Sequence, residues 1–150
     1  MQFGEIVLWL FIINLGIALG AGLYESRVIV PLWSSSPPES LNQPEVGLRF
    51  WVWVTTGPLT LLTVLNLIAA LLGDGARRHW WLVAAVIILI ERIATFSYFV
   101  PTMMRLQKGN IRANAAASTF ARWSTHNYLR HAATLAGLLA ALRALTLPAQ

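Results

Sequence analysis

Trp123-Ser124-Thr125-His126-Asn127-Tyr128-Leu129-Arg130-His131 sits inside an apolar stretch running from Ala117 to Leu147. That stretch is long enough to cross a hydrocarbon core of about 30 Å. Ionisable residues are costly at such depth and mark pathways, sites or specific pairings. On a helix of about 100° per residue, Thr119, Trp123, His126, Asn127, Arg130 and Thr134 fall within an arc of about 100°. The stretch therefore reads as a membrane helix with one polar stripe. The rest of the chain reads as the source of that stripe's partners.

Composition supports lipid as the solvent. The 150 residues are 57% hydrophobic and 11% charged, whereas a soluble domain carries about 25% charged residues. The length suits a single domain. The net charge is +5, but the basic residues are scattered at span ends and inside spans. A nucleic-acid partner would need them gathered on one face and is not expected. The absence of cysteine excludes disulfides and thiolate metal ligands. Residues 1–24 contain an acid and no Lys or Arg, so they read as a first span and not as a signal peptide.

Four spans follow, at about 2–25, 50–72, 80–104 and 117–147. Gly16 and Gly20 form a small-xxx-small pair on the first. Ser34 to Ser40 has turn and linker composition. Val28 to Trp33 reads either as a short interfacial piece or as ordinary loop. Trp33, Trp51 and Trp53 at one end, and Trp80 and Trp81 at the other, read as interfacial belts. Pro58 inside the second span needs a neighbour to satisfy the carbonyl it frees. The expected fold is all-α: an integral membrane four-helix bundle, up-down-up-down, in a bacterial inner membrane. Arg27, Arg49, Arg105, Lys108, Arg112 and Arg122 cluster with the first and third loops, which puts both termini outside.

Glu91, Thr95, Tyr98, Thr102 and Arg105 lie within about 40° of one line on the third span. Arg92 points about 100° away and reads as a snorkelling or interhelix residue. At about 1.5 Å per residue, Glu91, Arg130 and His131 lie about 20 Å from the end carrying those loops. His126, Asn127 and Thr95 are shallower, and Tyr98 and Trp123 shallower again. Glu25, Trp51 and Arg105 rim the mouth. Asn14 and Asn66 reach in from the other two helices. The expectation is one polar pocket in which Arg130 balances the charge of Glu91, a carboxylate too costly to bury alone. The same contacts could instead fix helix register without chemistry. His131 reads equally as a helix contact or a ligand.

Metal chelation is not expected. His126 and His131 are about 140° apart on the helix, and no Glu-x-x-His pair occurs. Either histidine could serve a haem, but nothing else in the sequence asks for one. Nucleotide-binding and hydrolase motifs are absent.

Three segments carry a resemblance. They are Gly20-Ala21-Gly22-Leu23-Tyr24-Glu25-Ser26-Arg27-Val28-Ile29-Val30-Pro31-Leu32-Trp33, Tyr98-Phe99-Val100-Pro101-Thr102-Met103, and Arg122-Trp123-Ser124-Thr125-His126-Asn127-Tyr128-Leu129-Arg130. The last is similar to a Trp-x-x-x-Asn-x-x-Arg pattern. Together they resemble the family of small four-span membrane proteins typified by anthrone oxygenases, many of whose members have no known function. The resemblance points to Trp123, Asn127 and Arg130. It implies oxidation of a flat, hydrophobic phenolic ketone by O₂ without metal or flavin. His126 or Glu91 would then act as base. Arg130, Tyr98 and Asn127 would stabilise the enolate oxygen, and Trp123 and Trp51 would sandwich the ring. Thr95, Arg105 and Glu25 complete the substrate-binding set. The rival expectation is a non-catalytic membrane subunit, or a binder of a quinone or pigment, within a homo-oligomer or a larger membrane complex. A small transporter is a third reading, weakened by the lack of an internal repeat.

Overall fold

The computed structural model describes residues 3–35, 39–41 and 48–148. Four long helices carry almost all of them: α1 Phe3–Trp33, α2 Trp51–Leu72, α3 Gly75–Gln107 and α4 Ala113–Thr146. Leu48–Phe50 leads into α2, and a single 3₁₀ turn, Glu39–Leu41, lies in the first loop. No strand occurs among the described residues. Residues 36–38 of the Ser34 to Ser40 linker, and the last two residues of the tail, lie outside them.

The helices α1, α2 and α3 are each long and apolar enough to cross a membrane. The 34-residue α4 is the longest helix but is not among these spans. Its polar stripe and its arginines at positions 122, 130 and 143 lower its hydropathy. Around the molecule, α1 packs against α2 and α4, and α3 packs against the same two.

Two apolar clusters hold the helices together. One gathers Leu8, Phe11 and Leu15 of α1, Leu59 of α2, Trp81 and Ile88 of α3, and Ala140, Ala141 and Ala144 of α4. The other gathers Val30 and Trp33 of α1, Phe99 and Leu106 of α3, and Phe120 and Trp123 of α4. Along each contributing helix, the residues between the two clusters turn polar groups inward: Ser26, then Glu91, Arg92 and Thr95, then Asn127 and His131. The outer surface is the reverse. Ile13, Leu61, Ile68, Ile90, Ile93, Leu129 and Leu139 are all exposed. Buried polar groups beneath an exposed apolar surface invert the usual soluble pattern.

Three of the helices contain a π turn: Glu25–Ile29, Trp51–Thr56 and Thr95–Phe99. Each is followed within two residues by proline, at Pro31, Pro58 and Pro101. Proline has no N–H and its ring crowds the carbonyl four residues back. Here the residue before each proline donates five residues back, Val30 to Glu25, Gly57 to Val52 and Val100 to Thr95. The wider turn makes room for the ring. The Val54 carbonyl, four residues before Pro58, accepts from Asn14 Nδ2 of α1 at 2.9 Å. Asn14 thereby satisfies the group that Pro58 frees, as membrane helices require.

The sequence boundaries need correction where these turns occur. The first helix does not end near Glu25 but passes through a π turn to Trp33, so Val28 to Trp33 is neither a separate re-entrant piece nor an exposed loop. Trp33 is buried in the second cluster and is not a belt residue. Trp81 is buried as well, because Asn66 gives its indole an acceptor: Trp81 Nε1 donates to Asn66 Oδ1 at 2.7 Å. Asn66 Nδ2 in turn donates to Val7 O at 3.3 Å and Leu62 O at 2.7 Å. Arg77 lies over the Trp81 ring and pairs with Glu5 at 3.2 Å. This network ties α1, α2 and α3 together at the end opposite the first and third loops. Trp53 is 76% exposed and Trp80 40%, as belt residues should be. Gly16 and Gly20 face open space, so they serve no helix contact among the described residues.

Candidate functional site: a basic cavity beside a buried ionic cluster

The polar residues form two arrangements, not one pocket. The first is buried. Glu91 is 4% exposed and Arg92 8%. Arg92 folds back on its neighbour, with Nε donating to Glu91 Oε2 and Nη2 to Oε1 at 2.7 Å. Arg92 is thus the main partner of Glu91, and neither snorkels nor pairs across helices. Its long side chain spans the 100° that separates the two Cα positions. Thr95 Oγ1, one turn on, donates to Glu91 Oε1 at 3.1 Å. Arg130 Nε of α4 lies 3.9 Å from the same oxygen, and its guanidinium sits over the Phe99 ring at 5.1 Å. Arg130 also feels the charge of Glu25, whose carboxylate interacts with the Trp51 indole. Glu91 thus offsets the charge of both Arg92 and Arg130, which lowers the cost of holding them in a low-dielectric interior.

Beside this cluster, α1 and α4 meet through Ser26. Its hydroxyl bonds His131 Nε2 at 2.9 Å and accepts from Asn127 Nδ2 at 3.3 Å. Close approach here depends on Gly22, since a Cβ at that position would stand 2.4 Å from His131 Cε1. Gly137 plays the same part against Ile88. His131 is therefore a helix contact. Asn127 is buried, and its Oδ1 has no partner among the described residues.

The second arrangement is an open cavity of about 640 Å³. It is lined by Tyr98, Thr102 and Arg105 of α3, Asn110 and Ile111 of the third loop, and Thr119, Arg122 and His126 of α4. Tyr98 belongs to the third π turn, a geometry often found at functional sites. Its hydroxyl meets His126 Nδ1 at 3.1 Å, with the two rings edge to face.

The residues expected to share one pocket are thus divided. His126, Tyr98 and Arg105 line the cavity. Glu91, Thr95 and Arg130 belong to the ionic cluster, with Glu25 and Trp51 at its side. Asn127 joins α4 to α1. Trp123 is packed in the second apolar cluster, stacked on Phe120, and its Nε1 donates to Phe99 O at 3.1 Å. Sequence reasoning missed Ser26, Gly22, Arg122 and the π turns. The prolines at 31, 58 and 101 were the available signal for the turns. Arg122 was counted only as a topology charge. No family model, curated protein or solved structure matches the chain.

Proposed function

We propose that the protein is a four-span, up-down-up-down integral membrane bundle whose cavity binds a flat, hydrophobic phenolic compound and oxidises it with O₂. The observation that carries this reading is the His126–Tyr98 pair on the wall of the 640 Å³ cavity. A volume of this order suits a small organic ligand. The fourth span is part of the proposal. Its outward residues Leu129, Leu135, Leu139 and Leu142 are apolar and exposed. Its polar residues find Ser26 and Glu91 on neighbouring helices, which offsets the cost of carrying them into lipid.

The chemistry follows from the groups on the wall. In the tautomer whose Nδ1–H donates to the Tyr98 oxygen, His126 Nε2 is free to accept a proton from an acidic methylene of the ligand. Tyr98, with Arg105 and Arg122, would stabilise the resulting enolate oxygen. The carbanion gives electrons to O₂ and forms a carbon–oxygen bond, and the His126 imidazolium returns its proton to the peroxide anion. Loss of water from the resulting hydroperoxide converts CH₂ to C=O, with one oxygen atom in the product and one in water. Anthrone is the probe: the protein in nanodiscs should consume one O₂ per anthrone oxidised, above the rate of empty nanodiscs. Equal rates would remove the oxygenase reading.

A second reading has its own support. Glu91 is saturated by Arg92, Thr95 and Arg130, as befits a residue that fixes helix packing. On that reading the protein is a non-catalytic membrane subunit or hydrophobic-ligand binder. Binding of anthrone without oxygen uptake would favour it.

A further inference from the structure

The cavity wall is chemically one-sided. Arg105 and Arg122 come from different helices, α3 and α4, and line the same space. Neither guanidinium makes a hydrogen bond or ion pair among the described residues. The remaining polar lining is Tyr98, Thr102, Asn110, Thr119 and His126, and no carboxylate is among the lining residues. The two acids nearest in sequence along these helices and α1, Glu91 and Glu25, are already engaged in the ionic cluster. An anion in the cavity would be attracted by both guanidiniums. The N-terminal end of α4, which begins beside this wall at Ala113, adds potential of the same sign.

We propose that the cavity is an anion-recognition site, in which Arg105 and Arg122 together hold the phosphate or carboxylate group of a ligand. Guanidinium forks suit the paired oxygens of either group. Hydroxyls of Thr102, Thr119 and Tyr98 supply further donors. The cavity opens beside the third loop, at the end of α3 where Met104 is exposed. An anionic group there can belong to an amphiphile whose body lies in the membrane, or to a soluble anion arriving from the loop side. The inference rests on the cavity being a ligand site, but not on oxidation occurring there. Binding is read without turnover, so the two ideas fail separately.

The test uses the full chain in phosphatidylcholine nanodiscs, titrated either with phosphatidylglycerol or with inorganic phosphate. Lipid retention is followed by native mass spectrometry and phosphate binding by calorimetry. The variants are Arg105→Gln/Arg122→Gln, Arg105→Lys/Arg122→Lys and, as a control at the opposite end, Arg143→Gln. Both cavity arginines are exposed, and their guanidiniums have no partner among the described residues, so the variants should unfold at the wild-type temperature. Saturable binding of one anion, weakened at least tenfold in the double Gln variant, intermediate in the double Lys variant and unchanged in Arg143→Gln, is the expected result. If phosphatidylglycerol shows it, the ligand is membrane-borne; if only phosphate does, it is soluble. The proposal is overturned if the double Gln variant binds both anions as tightly as the wild type, or if the wild type binds neither.

Discussion

Replacing Glu91 with alanine is expected to destabilise the fold by about 3–5 kcal/mol, the usual cost of stripping one partner from a buried ion pair. The size follows from what Glu91 holds. Its two oxygens accept from Arg92 and Thr95 and face Arg130. Without them, the Arg92 and Arg130 guanidiniums remain in the interior with no carboxylate within 4 Å among the described residues. Glu91→Ala/Arg92→Leu restores the charge balance and should recover much of the loss, since an apolar replacement of a buried pair is often close to neutral. Thermal or SDS unfolding in a fixed detergent checks both variants. An unfolding curve for Glu91→Ala within about 0.5 kcal/mol of wild type would show that the cluster is not structural, since surface substitutions fall in that range.

The second large effect is on turnover. His126→Ala should lower anthrone oxidation by about 10²–10⁴-fold, the contribution of a positioned general base. His126 is exposed and makes a single hydrogen bond, to Tyr98, so its removal should leave expression and unfolding temperature intact. Binding of anthrone should persist, because Arg105, Arg122 and the hydroxyls remain. Tyr98→Phe removes the partner of Nδ1 and should give a smaller loss. Unchanged turnover in His126→Ala would remove this histidine from the mechanism. Glu91 is a poor substitute as base, because Arg92, Thr95 and Arg130 occupy its oxygens.

The polar stripe of α4 was legible because helical period and apolar context are local properties. Glu91 and Arg130 at matching depth follow from counting residues along two helices, whereas the same count set Tyr98 level with Trp123 and not with His126, its partner at 3.1 Å. The partner of Glu91 was not legible in the same way. Cα angles place Arg92 on another face, yet three methylenes let its guanidinium return to the adjacent carboxylate. The π turns escaped because each adds one residue to a turn, which shifts the faces beyond it by about 100°. That shift helps to explain why Thr95 looks inward at Glu91 while Tyr98 and Thr102 reach the cavity. Trp33 and Trp81 looked like belt residues from composition. Their burial depends on Asn66 and on the second apolar cluster, contacts between residues distant in sequence.

The proposed bundle requires α4 to cross the membrane with its polar stripe turned inward. The chain has no cysteine, so single cysteines can be placed on an otherwise silent background. Leu139→Cys on the outward face of α4, Thr119→Cys at the cavity and Asp74→Cys in the α2–α3 turn should be treated with a membrane-impermeant maleimide in sealed vesicles of both orientations. Thr119→Cys and Asp74→Cys should label from opposite sides, and Leu139→Cys from neither. Labelling of Leu139→Cys as fast as Asp74→Cys would place α4 in water and contradict the four-span bundle.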